Sequence, residues 1–223
     1  MKKINFLFLM LLLFSCKKEE TKIDFGYSYF GLQEGRYVIY DGMYITHDKN
    51  LVPAHDTTFY KLKTLVGKDY VDNSGRTAKE FTRFLWNEST QTWELKDLYT
   101  AIIDGGKAEL VEENQRRIKL VFAVAEDKTW NENAYNTQEK IQCSYQSIGI
   151  PRTLNGIDFD STVAVLKGDF FTFYDHERHY ELYAKDVGMI KKYYQDLRIL
   201  GEDSTVIEKG IEEFLTLTDF GIE

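Results

Sequence analysis

The best case for chemistry in this chain of 223 residues is the run Asp175-His176-Glu177-Arg178-His179. Two histidines three apart share a face on a helix, where they could ligate zinc in a metal-dependent hydrolase. On a strand the same spacing sends them to opposite faces. Phe170 to Tyr174 and Tyr180 to Tyr183 read as strands, so the five polar residues read as the charged hairpin between them. Asp175 and Glu177 are close enough to raise both histidine pKa values, which favours protonation over ligation. His47 and His55 lie in a second polar loop, Thr46 to Thr57, with Asp48 and Asp56. Cys143 alternates with Ile141 and Tyr145 on one face and reads as a buried, inert thiol. The chain has no Gly-x-Ser-x-Gly elbow, phosphate loop, dinucleotide fingerprint, His-Glu-x-x-His or Cys-x-x-Cys. The expectation is therefore no metal, no cofactor and no enzymatic activity.

The elements that would position these residues are strands. Ile118, Leu120, Phe122 and Val124 alternate with Lys119, Val121 and Ala123, and Tyr180, Leu182 and Ala184 alternate with Glu181, Tyr183 and Lys185. A period of two places one side of each run in a core. Turn residues separate the runs at Asp72 to Gly75, Asn87 to Thr90, Asp104 to Gly106, Ala125 to Lys128 and Gly201 to Ser204. Trp86 and Trp93 flank the second turn and suit a cross-strand pair. No long window carries a capped helical stripe. Ten or so strands with short turns predict an all-β fold, an antiparallel meander forming a barrel or strongly curled sheet, in one domain over residues 27–223. Aromatics crowd two strands, at Tyr37, Tyr40 and Tyr44 and at Phe170, Phe171, Phe173 and Tyr174. Exposed tyrosines suit glycans or peptides, although cross-strand packing accounts for most such rings.

The N-terminus carries an address. Lys2 and Lys3 precede an apolar run, Ile4 to Phe14, which is too short to span a bilayer of about 30 Å as a helix. It ends in Ser15-Cys16, and this resembles the lipobox of bacterial lipoproteins. The resemblance implies a signal peptide over residues 1–15, cleavage after Ser15, and acyl chains such as palmitate on Cys16. Residues 16–26 then form the lipidated cysteine and a tether. Two or more acyl chains anchor a protein stably without spanning the membrane. Lys18, Glu19 and Glu20 resemble the export signal of Bacteroidetes surface lipoproteins, which implies the outer membrane and the cell surface, with the periplasmic leaflet as the alternative.

With 28 basic against 36 acidic residues, a net charge of −8 argues against nucleic acid as a partner. Three further segments, Leu32 to Tyr40, Lys128 to Asn136 and Tyr183 to Ile190, resemble small Bacteroidetes lipoproteins of uncharacterised function. That resemblance implies a β-rich fold and supplies no catalytic residues. The leading expectation is a lipid-anchored, non-enzymatic binding or structural module whose partner is a glycan or an envelope protein. The alternatives are a barrel that carries a small apolar ligand and a metal-dependent hydrolase using His176 and His179.

Overall fold

The computed structural model describes residues 23–201 and 203–223. One sheet holds twelve antiparallel strands: β1 (Arg36–Asp48), β2 (His55–Val71), β3 (Thr77–Asn87), β4 (Thr92–Asp104), β5 (Lys107–Glu112), β6 (Gln115–Val121), β7 (Thr129–Asn131), β8 (Gln142–Leu154), β9 (Ile157–Phe171), β10 (Asp175–Ala184), β11 (Gly188–Leu200) and β12 (Asp203–Ile222). A 3-10 turn, Tyr27–Phe30, precedes them. The strand order is β6-β5-β4-β3-β2-β1-β12-β11-β10-β9-β8-β7. Nearly every neighbour in space is therefore a neighbour in sequence. The exception is the β1–β12 ladder, which runs from Arg36 opposite Ile222 to Asp48 opposite Lys209. The all-β meander expected from the period of two is what forms, with twelve strands in place of about ten.

Turn chemistry explains the hairpins. Asp72 Oδ1 accepts the amides of Ser74 and Arg76. Asn87 Oδ1 accepts those of Ser89 and Thr90, which brings Trp86 opposite Trp93 with ring centroids 5.2 Å apart. Asn155 and Gly156 both take left-handed backbone (φ 50° and 78°) between β8 and β9, the geometry of a two-residue hairpin.

The curled sheet is nearly closed, and side chains do most of the closing. The outward backbone groups of β6 would otherwise form an open edge. Here the Ile118 amide donates to the Glu132 carbonyl (2.9 Å), and the Ile118 carbonyl accepts from Trp130 Nε1 (2.9 Å). The Tyr145 hydroxyl accepts from the Val121 amide and donates to the Val121 carbonyl, at 2.8 Å each. Lys119 is the extra residue of a bulge, between Ile118 opposite Glu109 and Leu120 opposite Ala108. The bulge resets the alternation, so Ile118, Lys119 and Leu120 are all buried, and Lys119 lies inside where strict alternation places it outside.

Both faces of β10 are covered, so Glu181, Leu182, Tyr183 and Ala184 are buried in succession. Glu181 and Tyr183 face the lumen of the barrel. Leu182 faces the outer end of the β8–β9 hairpin, which crosses β10 and β11 until Asn155 Nδ2 donates to the Leu217 carbonyl of β12 (2.7 Å). Phe25 accepts the Val124 amide through its carbonyl (3.2 Å), and Asp24 binds the Gly26 amide and the Lys185 ammonium.

Candidate functional site

The run Asp175 to His179 is not a turn. It is the first half of β10, and the hairpin turn lies before it, where the Thr172 amide donates to the Asp175 carbonyl (2.8 Å). The strand turns the two imidazoles to opposite faces. His176 meets the Phe171 ring edge-on at 5.1 Å, whereas His179 stacks on Tyr194 with centroids 4.1 Å apart. Burial lowers the His179 pKa and outweighs the nearby Asp196, the reverse of the rise expected from Asp175 and Glu177. Among the described residues no three His, Cys, Asp or Glu side chains converge on a metal position.

His47 and His55 also lie in strands, and they pair directly across β1 and β2. Their Nδ1 atoms are 2.7 Å apart, and His47 Nε2 is 3.0 Å from Glu212 Oε1. Cys143 is buried, and burial pushes its thiol up to about 12. Cys16 and the triplet Lys18, Glu19 and Glu20 fall outside the described residues.

The lumen holds a group that the sequence reading missed. Lys119 of β6 and Lys167 of β9 face Glu132, just after β7, and Glu181 of β10. Lys119 Nζ is 3.2 Å from Glu132 Oε1 and 3.0 Å from Glu181 Oε1. Lys167 Nζ is 2.9 Å from Glu132 Oε2 and 2.7 Å from Glu181 Oε1. Tyr183 adds a hydroxyl donor to Glu181 (2.6 Å). Burial alone would raise both carboxyl pKa values, but the two ammonium charges outweigh it. Glu132 is held below the usual carboxylate range and Glu181 well below it. The Lys119 ammonium, penalised by the same burial, is held well above its ordinary range by Glu132 and Glu181. On the opposite wall Lys192 pairs with Glu213 (2.5 Å) and Arg83 with Asp97 (2.6 Å). Two spaces remain: about 150 Å³ beside Lys119, Glu181, Lys192 and Glu213, walled largely by apolar side chains such as Phe30, Phe81 and Leu215, and about 220 Å³ around Lys119, Glu132, Lys167 and Glu181. A dry, apolar cavity of that order holds one benzene ring.

A larger concavity lies outside the barrel. The β8–β9 hairpin and the outer face of β10 and β11 enclose a groove of about 610 Å³. Arg152 and Leu154 form the hairpin wall, and Arg178, Tyr180, Lys191 and Tyr193 form the sheet wall. Tyr180 and Tyr193 are stacked, with centroids 5.2 Å apart and planes 8° from parallel. No carboxylate lines the groove. Among the described residues neither Arg152, Arg178 nor Lys191 makes an ion pair, in contrast to the lysines of the lumen. Asp158, near the rim, takes the Thr153 hydroxyl (2.6 Å). The signals for this groove were present in the sequence as Asn155-Gly156, which closes the hairpin, and as Arg178 on the face of β10 opposite Glu181.

No protein-family model matches the chain, and no curated protein matches it. Solved structures do. A crystal structure of a candidate lipoprotein from Parabacteroides distasonis ATCC 8503 is similar at 12% identity and a TM-score of 0.44, over 86% of this chain and 98% of that one. A candidate exported protein with a YmcC-like fold from Bacteroides fragilis NCTC 9343 is similar at 12% identity and a TM-score of 0.43, over 85% and 98%.

Proposed function

We propose that this chain is a non-enzymatic, lipid-anchored lipoprotein of the cell envelope that binds its partner on the outside of the barrel. The observation that carries this reading is the lumen itself: Lys119, Lys167, Glu132 and Glu181 pair with one another, and the space is split into about 220 Å³ around them and about 150 Å³ beside Lys119 and Glu181. Each space is smaller than the roughly 300–1,000 Å³ of a typical ligand pocket, and the buried ion pairs beside it disfavour an apolar ligand, which argues against the carrier alternative. Recognition is left to exposed surfaces. The anchor rests on the lipobox at Cys16, and display at the outer membrane surface rests on Lys18-Glu19-Glu20.

Two measurements test this. Cys16→Ala should abolish palmitate labelling and shift the protein from the detergent phase to the aqueous phase on phase partition. Labelling that persists in the variant would remove the anchor. A fluorescent polyene fatty acid titrated into the wild-type protein should show no saturable enhancement. Stoichiometric uptake would restore the carrier reading.

A further inference from the structure

We infer that the groove beneath the β8–β9 hairpin is a binding site for an acidic saccharide, with sugar rings bearing carboxylate or sulfate. This rests on the proposal that the partner binds outside the barrel. The charge pattern is the first argument. In a chain with net charge −8, a wall lined by Arg152, Arg178 and Lys191 and by no carboxylate runs against the whole-molecule average. Lys119, Lys167, Lys192 and Arg83, which face the lumen, are each matched by a carboxylate. The three in the groove have no such partner among the described residues. Arg152 approaches from the hairpin and the other two from the sheet, so an anion in the groove meets cations from both sides. Arginine adds the planar fork that suits carboxylate and sulfate oxygens.

The second argument is the shape and chemistry between the cations. Leu154 and Leu182 supply apolar wall, and Tyr180 and Tyr193 add apolar ring with a hydroxyl tip. A sugar ring needs that combination, because its C–H face seeks apolar surface and its hydroxyls seek donors and acceptors. The tyrosines are stacked on each other, and the Lys191 ammonium lies 6.0 Å from the Tyr180 ring centroid. Such a pair presents edges and hydroxyls more than the free ring face on which a nucleobase would stack. Charge density points the same way. Duplex DNA carries a charge every 1.7 Å or so, whereas an acidic glycan carries about one per sugar, which three cations can match in an otherwise acidic protein.

The test uses the full chain purified from membranes in detergent, titrated calorimetrically with a polygalacturonate oligomer, its methyl ester, a sulfated heparin fragment and oligo(dT). Saturable binding of the uronate or the sulfated oligomer is expected, with the uronate at least about tenfold tighter than its uncharged ester. The double variant Arg178→Gln, Lys191→Gln should weaken binding at least about tenfold and flatten its salt dependence by about one unit of slope per cation removed. Arg178 is exposed and Lys191 half-buried, and an unchanged melting temperature confirms the fold. Lys140→Gln, at an exposed site away from the groove, should leave affinity unchanged. Oligo(dT) binding as tightly as either acidic saccharide, or saccharide binding indifferent to the double variant, would overturn the inference. Absence of binding by both acidic oligomers would overturn it too. It would leave the exterior-binding proposal standing, provided the fatty-acid probe also stays out of the lumen.

Discussion

Glu132, Glu181 and Lys119 shape how stability depends on pH. The carboxylate pKa values of Glu132 and Glu181 are depressed by folding, so their contribution is present above the unfolded value of about 4.5 and is lost as pH falls below it. Cys143 shifts the other way. Burial raises its folded pKa to about 12, so its contribution holds below the unfolded value of about 9 and fades as pH rises toward 12. Lys119, also raised, adds to the alkaline loss above about 10.5. The stability plateau should therefore lie between about pH 5 and 8, and urea midpoints measured from pH 3 to 10 would trace it. Glu181→Gln leaves two buried ammonium groups sharing one fewer carboxylate, and a loss of about 3–5 kcal/mol is expected. The same variant should have a shallower acid limb. A midpoint unchanged at pH 7 would mean that water already solvates the group.

At the scale of the strand, the hydroxyl of Tyr145 stands in for a missing neighbour of β6. Tyr145→Phe leaves the amide and carbonyl of Val121 without that partner and should cost about 1–3 kcal/mol. Hydrogen exchange should quicken at Val121 first, before the hairpins far from the seam. Exchange that quickens uniformly would show that the seam opens only with the whole sheet. Much at this scale was legible beforehand. Asp72, Asn87 and the Asp104-Gly105-Gly106 run turn the chain where their side chains and backbone freedom predict, and Trp86 meets Trp93. What escaped has physical causes. Alternation assumes an unbroken ladder, and the bulge at Lys119 breaks it, which hid the lumen lysine. Alternation also assumes one wet face, whereas β10 is covered on both by the returning β8–β9 hairpin. His47 and His55 were read as loop because their polarity resembles that of a turn. The ladder that pairs them depends on neighbours far along the chain.

For the molecule as a whole, the proposed function divides two tasks: the paired charges inside hold the sheet around itself, and the unpaired ones outside meet a ligand. Display at the cell surface is proposed to depend on Lys18, Glu19 and Glu20. Replacing all three with Ala should protect the protein from protease added to intact cells, and equal cleavage of wild type and variant would reduce the triplet to a spacer. The β1–β12 ladder has a separate, kinetic consequence. It joins strands from opposite ends of the chain, while the other ladders are successive hairpins, and the Glu223 amide donates to the Gly35 carbonyl (2.8 Å). Loop-closure entropy must be overcome before such a ladder gains anything, so its formation should limit the folding rate. A circular permutant that links residue 223 to residue 23 and opens between the exposed Glu126 and Asp127 would run β7 through β12 and then β1 through β6. Every ladder in it would be local. It should keep the same circular-dichroism spectrum and refold several-fold faster in stopped flow, and equal refolding rates would show that some other step is the slow one.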